Sequence, residues 1–474
     1  MKGMTGMEQS HGALAQRMKL TLDEEQLTNC MRCGFCQMAC PTFLETGLEA
    51  ASPRGRIALM KAVVDGIMEP DESFQSQMDL CLGCRACEPA CPSDVKYGQL
   101  IEQTREAIVK EKKFSVPVKL VRKTFLQGIF PHKGRLKFMG KSLKFYQKSG
   151  LQKFARSSGA MKMFPEHLRQ LEKVVPTVTG DGLTDLWKKA GFPLRTEKTS
   201  SGSDLLIIPA VGEKVSRVGM FRGCIMDVMF AETNVNTVRL LRQAGFEVAI
   251  PDSQVCCGAL HAHASEMEDA RDLAGQNLIA FKEAGVDYIV SNAGGCGALL
   301  KEYDHLMKDA ADAGQQADAR QFAGQLKDIS ELLQDIGRPL IPLEDKSDET
   351  APVKVTYQDS CHLRNVMRVQ GQPRELIHQM QGVSLCELQG SEVCCGSAGI
   401  YNMTQPQMSM DLLDHKMDHV KDTRAEVVIT SNPGCLLQMK WGIERAGVQD
   451  HVEAVHLVDF LTERVRLYDK DQDD

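Results

Sequence analysis

Cys30, Cys33, Cys36 and Cys40 precede Pro41, and Cys81, Cys84, Cys87 and Cys91 precede Pro92, so one phrase occurs twice near the start of the chain. Both copies read C-x2-C-x2-C-x3-C-P, a run that wraps a four-iron four-sulfur cluster. Three thiolates two residues apart enclose one corner of a cube, and the fourth serves the other cube. The spacing therefore predicts one cluster on Cys30, Cys33, Cys36 and Cys91 and a second on Cys81, Cys84, Cys87 and Cys40. Each proline fixes φ and turns the chain away after the last ligand. Two adjacent clusters suit one task, the passage of single electrons along a line. Disulfides are one rival reading. Met1 to Gln26 has no apolar core and no small-residue cleavage site, so the chain is expected in the cytoplasm, where disulfides are rare. Zinc is the other rival, but it takes ligands in two pairs and explains neither the third CxxC step nor the trailing CP.

The 474 residues leave room for about three domains. Hydrophobic residues make up 43%, enough for a core in each, while aromatics at 5% argue against stacking platforms for nucleic acid. No stretch reaches the ~20 apolar residues of a membrane span. Charge is unevenly spread. From Lys110 to Lys173 there are 17 lysines and arginines against three acids, Glu111, Glu166 and Glu172. That surplus of 14 sits in a chain of net charge −7, leaving −21 elsewhere. Such a band fits a peripheral contact with anionic lipid at the inner membrane face, an acidic partner, or merely solvated helix faces. No nucleic-acid motif accompanies it, and no nucleic-acid partner is expected.

Residues 1–20 read as a flexible tail. Residues 21–110 read as a mainly helical domain with its cysteines on loops at helix ends. Ser52 is the expected N-cap there, with Pro53 at the first helical position. Residues 111–215 read as a basic helical connector, broken at Phe130-Pro131, Phe164-Pro165, Val175-Pro176 and Phe192-Pro193. The polar patch from Glu197 to Asp204 reads as an exposed loop.

The remainder is a duplication, expected over 216–345 and 350–474. Cys224, Cys256-Cys257-Gly258 and Cys296 recur as Cys361, Cys394-Cys395-Gly396 and Cys435, at offsets of 137, 138 and 139. A near-constant offset at three landmarks means two related domains. β-branched apolar runs precede Cys224, Cys296, Cys361 and Cys435, and helical stretches separate them. Alternating strands and helices predict a parallel sheet, with sites beyond the carboxyl ends of its strands. The fold class expected is α+β and multidomain, a helical domain followed by two homologous α/β domains.

The repeat resembles the cysteine-rich domain shared by heterodisulfide reductase subunits and the iron-sulfur subunits of several flavin dehydrogenases. That pattern ends in CxxC, and Ala293 and Asn432 stand here in place of its first cysteine. The resemblance leaves three fates for Cys224, Cys256, Cys257, Cys296, Cys361, Cys394, Cys395 and Cys435: an iron-sulfur cluster, zinc, or partly unused thiols. Cys386, opposite Val248 in the other copy, reads as a small buried hydrophobe. His362, His261 and His263 are candidates for a ligand or a proton relay, or are plain structural histidines.

A two-cluster ferredoxin domain with Ser52-Pro53-Arg54-Gly55-Arg56 between its runs, a basic connector and two paired-cysteine repeats together resemble the glycolate oxidase iron-sulfur subunit family. The resemblance implies a separate flavin subunit, carrying FAD, that oxidises glycolate to glyoxylate. This chain would relay its electrons to a quinone or another acceptor and would hold no catalytic residue itself. Sister subunits serve lactate and glycerol-3-phosphate dehydrogenases. A disulfide-reducing enzyme and a pure scaffold stay open as other readings.

Overall fold

The computed structural model describes residues 6–112, 114–163, 169, 172–344 and 351–468. The expected break at Phe164-Pro165, the first five residues and the junction at 345–350 lie outside them.

The N-terminal segment departs from the tail expectation. Gly6–Thr21 is a helix that packs on helices Pro53–Val64 and Tyr97–Glu111. Leu14, Met18 and Leu22 recur every fourth residue and are buried in one core with Met60, Phe74, Met78 and Leu100. That stripe is the helical signal the tail reading passed over. Arg17 ties the helix to Glu111. Ser52 caps Pro53–Val64 by accepting from Gly55 N at 3.0 Å, as expected.

The connector supplies helices Val116–Arg122, Lys133–Lys148 and Leu151–Ser157, then Leu183–Lys189. Its end belongs to the first repeat. Strands β1 (Arg195–Lys198) and β2 (Asp204–Ile208) form a hairpin, with Lys198 opposite Asp204. The expected exposed loop is therefore the flank and turn of that hairpin, and the first repeat starts before residue 216. Leu205, Leu206, Ile207 and Ile208 are all buried, which explains why the run joins a sheet.

In the first repeat β3 (Ser216–Met220), β4 (Phe246–Pro251), β5 (Tyr288–Ser291) and β6 (Leu326–Asp328) follow. The sheet order is β1-β2-β4-β3-β5-β6, parallel except where β2 meets its neighbours. The second repeat has β7 (Val353–Tyr357), β8 (Val383–Leu385), β9 (Val427–Thr430) and β10 (Glu453–His456), ordered β10-β9-β7-β8 and all parallel. Both sheets carry helices on their faces, and one apolar core runs from Val218 and Val248 in the first to Val355 and Ile429 in the second.

Candidate metal centres

Each N-terminal cysteine run is held on a loop with the same backbone trace. Arg32 and Gly34 in the first run, and Gly83 and Arg85 at the matching places in the second, have φ of +55°, +92°, +65° and +58°. Arginine in this left-handed region is strained, and such strain persists only where the surroundings impose it. The two positive-φ residues curl backbone N–H groups inward, a shape that suits an anion. Gly83 N lies 3.4 Å from Cys81 Sγ.

The loops cross. Cys40, at the start of helix Pro41–Thr46, leaves its own run and meets Cys81, Cys84 and Cys87 around one small cavity of about 20 Å³. Cys91 in turn stands with Cys30 and Cys33 around Cys36, whose thiol is raised by burial and by all three.

Arg56 adds an independent observation. It is wholly buried, and its Nη1 has no partner. Nε donates to Gln77 O at 2.7 Å and Nη2 to Thr42 Oγ1 at 3.1 Å. A buried cation needs a counter-charge, and the groups that act on it include the thiols of Cys81 and Cys40. Burial works to raise the Cys81 thiol, yet Arg56 and Arg105 outweigh it and hold that thiol below its usual range. The orphaned guanidinium, the cavity and the crossed cysteines fit an anionic four-iron cluster. Cys84 and Cys87, walled in without such help, are pushed well up by burial.

The two runs differ in exposure. Cys33 is exposed, and Met31, Phe35 and Met38 around it present apolar side chains to solvent. The second run is covered by the second repeat. Tyr401 Oη donates to Leu80 O at 2.8 Å, His362 Nε2 to Gly83 O at 3.0 Å and Asn365 Nδ2 to Cys84 O at 2.9 Å. Arg85 reaches the first repeat through Glu302. These bonds bring Cys84 into one apolar cluster with Cys394 and Cys361.

Within each repeat the four cysteines meet beyond the carboxyl ends of the parallel strands. Cys224 and Cys256 are 3.3 Å apart at sulfur, and Cys257 bonds to both Cys256 and Cys296. The second repeat repeats the row, Cys361 to Cys394 to Cys395 to Cys435. Gly396 permits the tight turn: φ is +86°, and a Cβ there would lie 2.6 Å from Ser409 O. Four soft, buried thiols suit iron or zinc as donors. Among the described residues, in the repeats and in the N-terminal runs alike, no three ligating side chains converge as they would on one ion. The thiols form a row of contacts instead.

The rows approach each other across the repeat interface. Cys296 packs against the cores that hold both sets. Asn432, at the place of the absent cysteine, accepts from Gly295 N at 3.0 Å and points its amide at Cys435 Sγ, 3.5 Å away. The absent thiol is thus replaced by a group that joins the repeats.

The three histidines sit at domain junctions. His261 Nε2 donates to Leu126 O of the connector at 2.8 Å, and the rings of His263 and His362 stand 5.5 Å apart between the repeats. Each is a docking group by geometry. Cys386 is half-buried and stands apart from both rows, bonding only weakly to Glu387 O. Arg56 and Lys416 escaped sequence reasoning. Arg56 lay inside the quoted Ser-Pro-Arg-Gly-Arg run, but nothing in the run said that it would be buried.

Known proteins resemble the chain along nearly all its length. The 4Fe-4S dicluster domain matches residues 26–95, the linker region of the glycolate oxidase iron-sulfur subunit matches 117–175, and the cysteine-rich domain matches 218–301 and 355–440. A probable glycolate oxidase iron-sulfur subunit of Bacillus subtilis is 47% identical over 95% of this chain and 96% of its own. The glycolate oxidase iron-sulfur subunit of Escherichia coli is 29% identical over 90% and 93%. Lactate utilization protein A of Oceanobacillus iheyensis is 31% identical over 52% of this chain and 96% of its own. The chain belongs to the glycolate oxidase iron-sulfur subunit family.

Proposed function

We propose that this chain is the electron-transfer subunit of a flavin-dependent glycolate dehydrogenase complex. In this reading Cys30, Cys33, Cys36 and Cys91 hold one four-iron cluster, and Cys81, Cys84, Cys87 and Cys40 hold a second. Bound there, a cluster accepts and returns one electron at a time. The chain's own residues seat, insulate and aim it. Arg56 offsets negative charge beside Cys40 and Cys81, and the apolar wall of Leu82, Tyr401 and Leu412 keeps water from Cys84. The eight repeat cysteines, in two rows of contacting thiols, extend the path beyond Cys84.

One observation carries the reading. Cys33 is exposed, its neighbours Cys30, Cys36 and Cys91 share one core with Cys81 and Cys87, and Cys84 abuts Cys361 and Cys394, so cysteines extend from a surface patch into the repeats. A scaffold has no use for that continuity. Met31, Phe35 and Met38 around Cys33 form the docking face for the flavin subunit, since an exposed apolar cluster of this kind marks an interface. The connector rests on the inner membrane face. Phe138 and Phe145 are 72% and 66% exposed on a helix rich in lysine. No helix among the described residues is long and apolar enough to cross a membrane.

The test uses the anaerobic chain with its flavin subunit. Glycolate should bleach the visible iron-sulfur absorbance of the wild type. The triple variant Met31→Asp, Phe35→Asp, Met38→Asp should lose that response by roughly tenfold or more in rate, a barrier change of about 1.4 kcal/mol, while dithionite still bleaches it. Bleaching by lactate or glycerol-3-phosphate with glycolate inert would transfer the chain to a sister complex.

A further inference from the structure

The two thiol rows end differently. The second-repeat row is capped by the Cys84 loop. The first-repeat row ends at Cys224 and Cys256, which floor a groove of about 240 Å³ between the connector and the first repeat. One wall is helix Lys133–Lys148, through Leu136, Lys137 and Gly140; the other is helix Leu183–Lys189, through Thr184 and Lys188.

The charges of the groove cancel. Lys133, Lys137, Lys188 and Arg222 face Asp181, Asp185, Asp227 and Asp252. Lys133 pairs with Asp252, Lys137 with Asp185, and Asp227 accepts from Leu183 N. A phosphate-bearing ligand would find no positive field there. The apolar part of the lining is Phe130, Leu136, Val228 and Val255.

Arg222, one of these four cations, has hydrogen-bond donors to spare. It is 4% exposed, its Nε has no partner, and its Nη contacts with Thr184 Oγ1 and Pro251 O are long at 3.5 and 3.4 Å. A buried guanidinium with unused donors calls for an oxygen acceptor, and the balanced charges around it suit a neutral one. The same wall helix turns Phe138 and Phe145 outward beside its lysines, so the groove stands next to the surface best suited to lipid.

We infer that this groove binds the ring of a membrane quinone, with one carbonyl oxygen directed at Arg222 and the ring above Cys224 and Cys256. The inference rests on the electron-transfer reading and names the acceptor and its site. The ring takes up two electrons and two protons, and both carbonyls become hydroxyls. The electrons arrive singly from the reduced chain, and the protons come from water at the groove mouth.

The test is equilibrium binding of a short-chain ubiquinone analogue to the oxidised full chain with its clusters intact, which requires neither partner nor turnover. Saturable binding is expected at one site. Thr184→Trp, which fills the groove, and Arg222→Met should each raise Kd by about tenfold or more, and Arg222→Lys should recover part of the loss. Lys137→Trp blocks the mouth from an exposed position, so the test survives misfolding of a buried variant. Absence of saturable binding, or an unchanged Kd in folded Thr184→Trp or Lys137→Trp, overturns the assignment. Quinone binding that obeys these variants in a chain that glycolate and its flavin subunit never reduce would sink the electron-transfer reading and leave the groove standing.

Discussion

The two repeats share a cysteine pattern and a parallel sheet, yet they bury different groups beneath that pattern. On helix Pro406–Thr423 the second repeat places Lys416, 2% exposed, which donates to Gly390 O. Burial pushes its ammonium down to about 8, while Cys395 and Cys394 oppose that shift. The equivalent position on helix Met267–Ala284 is Asn277, which accepts from Val255 N and donates to Cys256 O. The Cys395 thiol is held well below its usual range, chiefly by its bonds to Cys394 and Cys435, with Lys416 adding to the effect; the Cys257 thiol is pushed well up. The second row has a buried cation beside it and meets the ferredoxin domain. The first has a neutral amide there and opens on a groove. Duplication supplied one scaffold, and single buried residues made its two copies unlike.

That difference has a large consequence. If electrons enter at the second repeat, Cys394→Ser should leave the first repeat unreduced when current is supplied through the flavin subunit. Cys256→Ser should leave the second repeat reducible and stop only the exit. Both should slow transfer to the acceptor by roughly a hundredfold or more. Freeze-quenched paramagnetic spectra of the two variants separate the cases, and identical spectra would remove the asymmetry. A smaller effect concerns stability. Lys416→Met strips the cation from a buried thiolate and leaves Gly390 O unpaired, which should cost about 3 kcal/mol. Asn277→Leu, which loses only neutral bonds, should cost about 1–2 kcal/mol. Denaturant unfolding of the anaerobic protein compares them, and equal losses would mean that the lysine's charge is immaterial.

Spacing made the cysteines and the duplication legible, because C-x2-C runs and constant offsets survive without knowledge of burial. The strands before Cys224, Cys296, Cys361 and Cys435 were legible as β-branched runs. The hairpin of β1 and β2 was not, since the polar turn at 199–203 masked an apolar strand behind it. The Leu14, Met18 and Leu22 stripe was readable but lay in a segment expected to be loose. Arg56, Lys416 and Arg222 were beyond reach. Each is a long polar side chain whose role comes from residues distant in sequence that bury it, and a lone arginine or lysine reads as surface.

The finest contrast lies at the outer strand of each sheet. Asp328 ends β6 and caps the next helix by accepting from Ser330 N at 2.9 Å; His456 ends β10 and caps its helix by accepting from Val458 N at 3.2 Å. Burial lifts the Asp328 carboxyl to about 7, although its bonds to Ser330 oppose the shift. Burial lowers the His456 imidazole below its usual 6.5. An acid raised in the fold stabilises it fully below its unfolded value near 3.8, and that contribution is lost as pH rises through 7. A lowered histidine does the reverse. Its contribution is complete above 6.5 and is lost as pH falls toward the folded value. Asparagine preserves a capping oxygen at either place and does not titrate. Relative to wild type, Asp328→Asn should therefore gain a few degrees of Tm between pH 5 and pH 8, whereas the deficit of His456→Asn should shrink as the pH is lowered from 7 to 5. Thermal unfolding across that range reads both slopes, and parallel curves for all three proteins would show that neither cap titrates with folding.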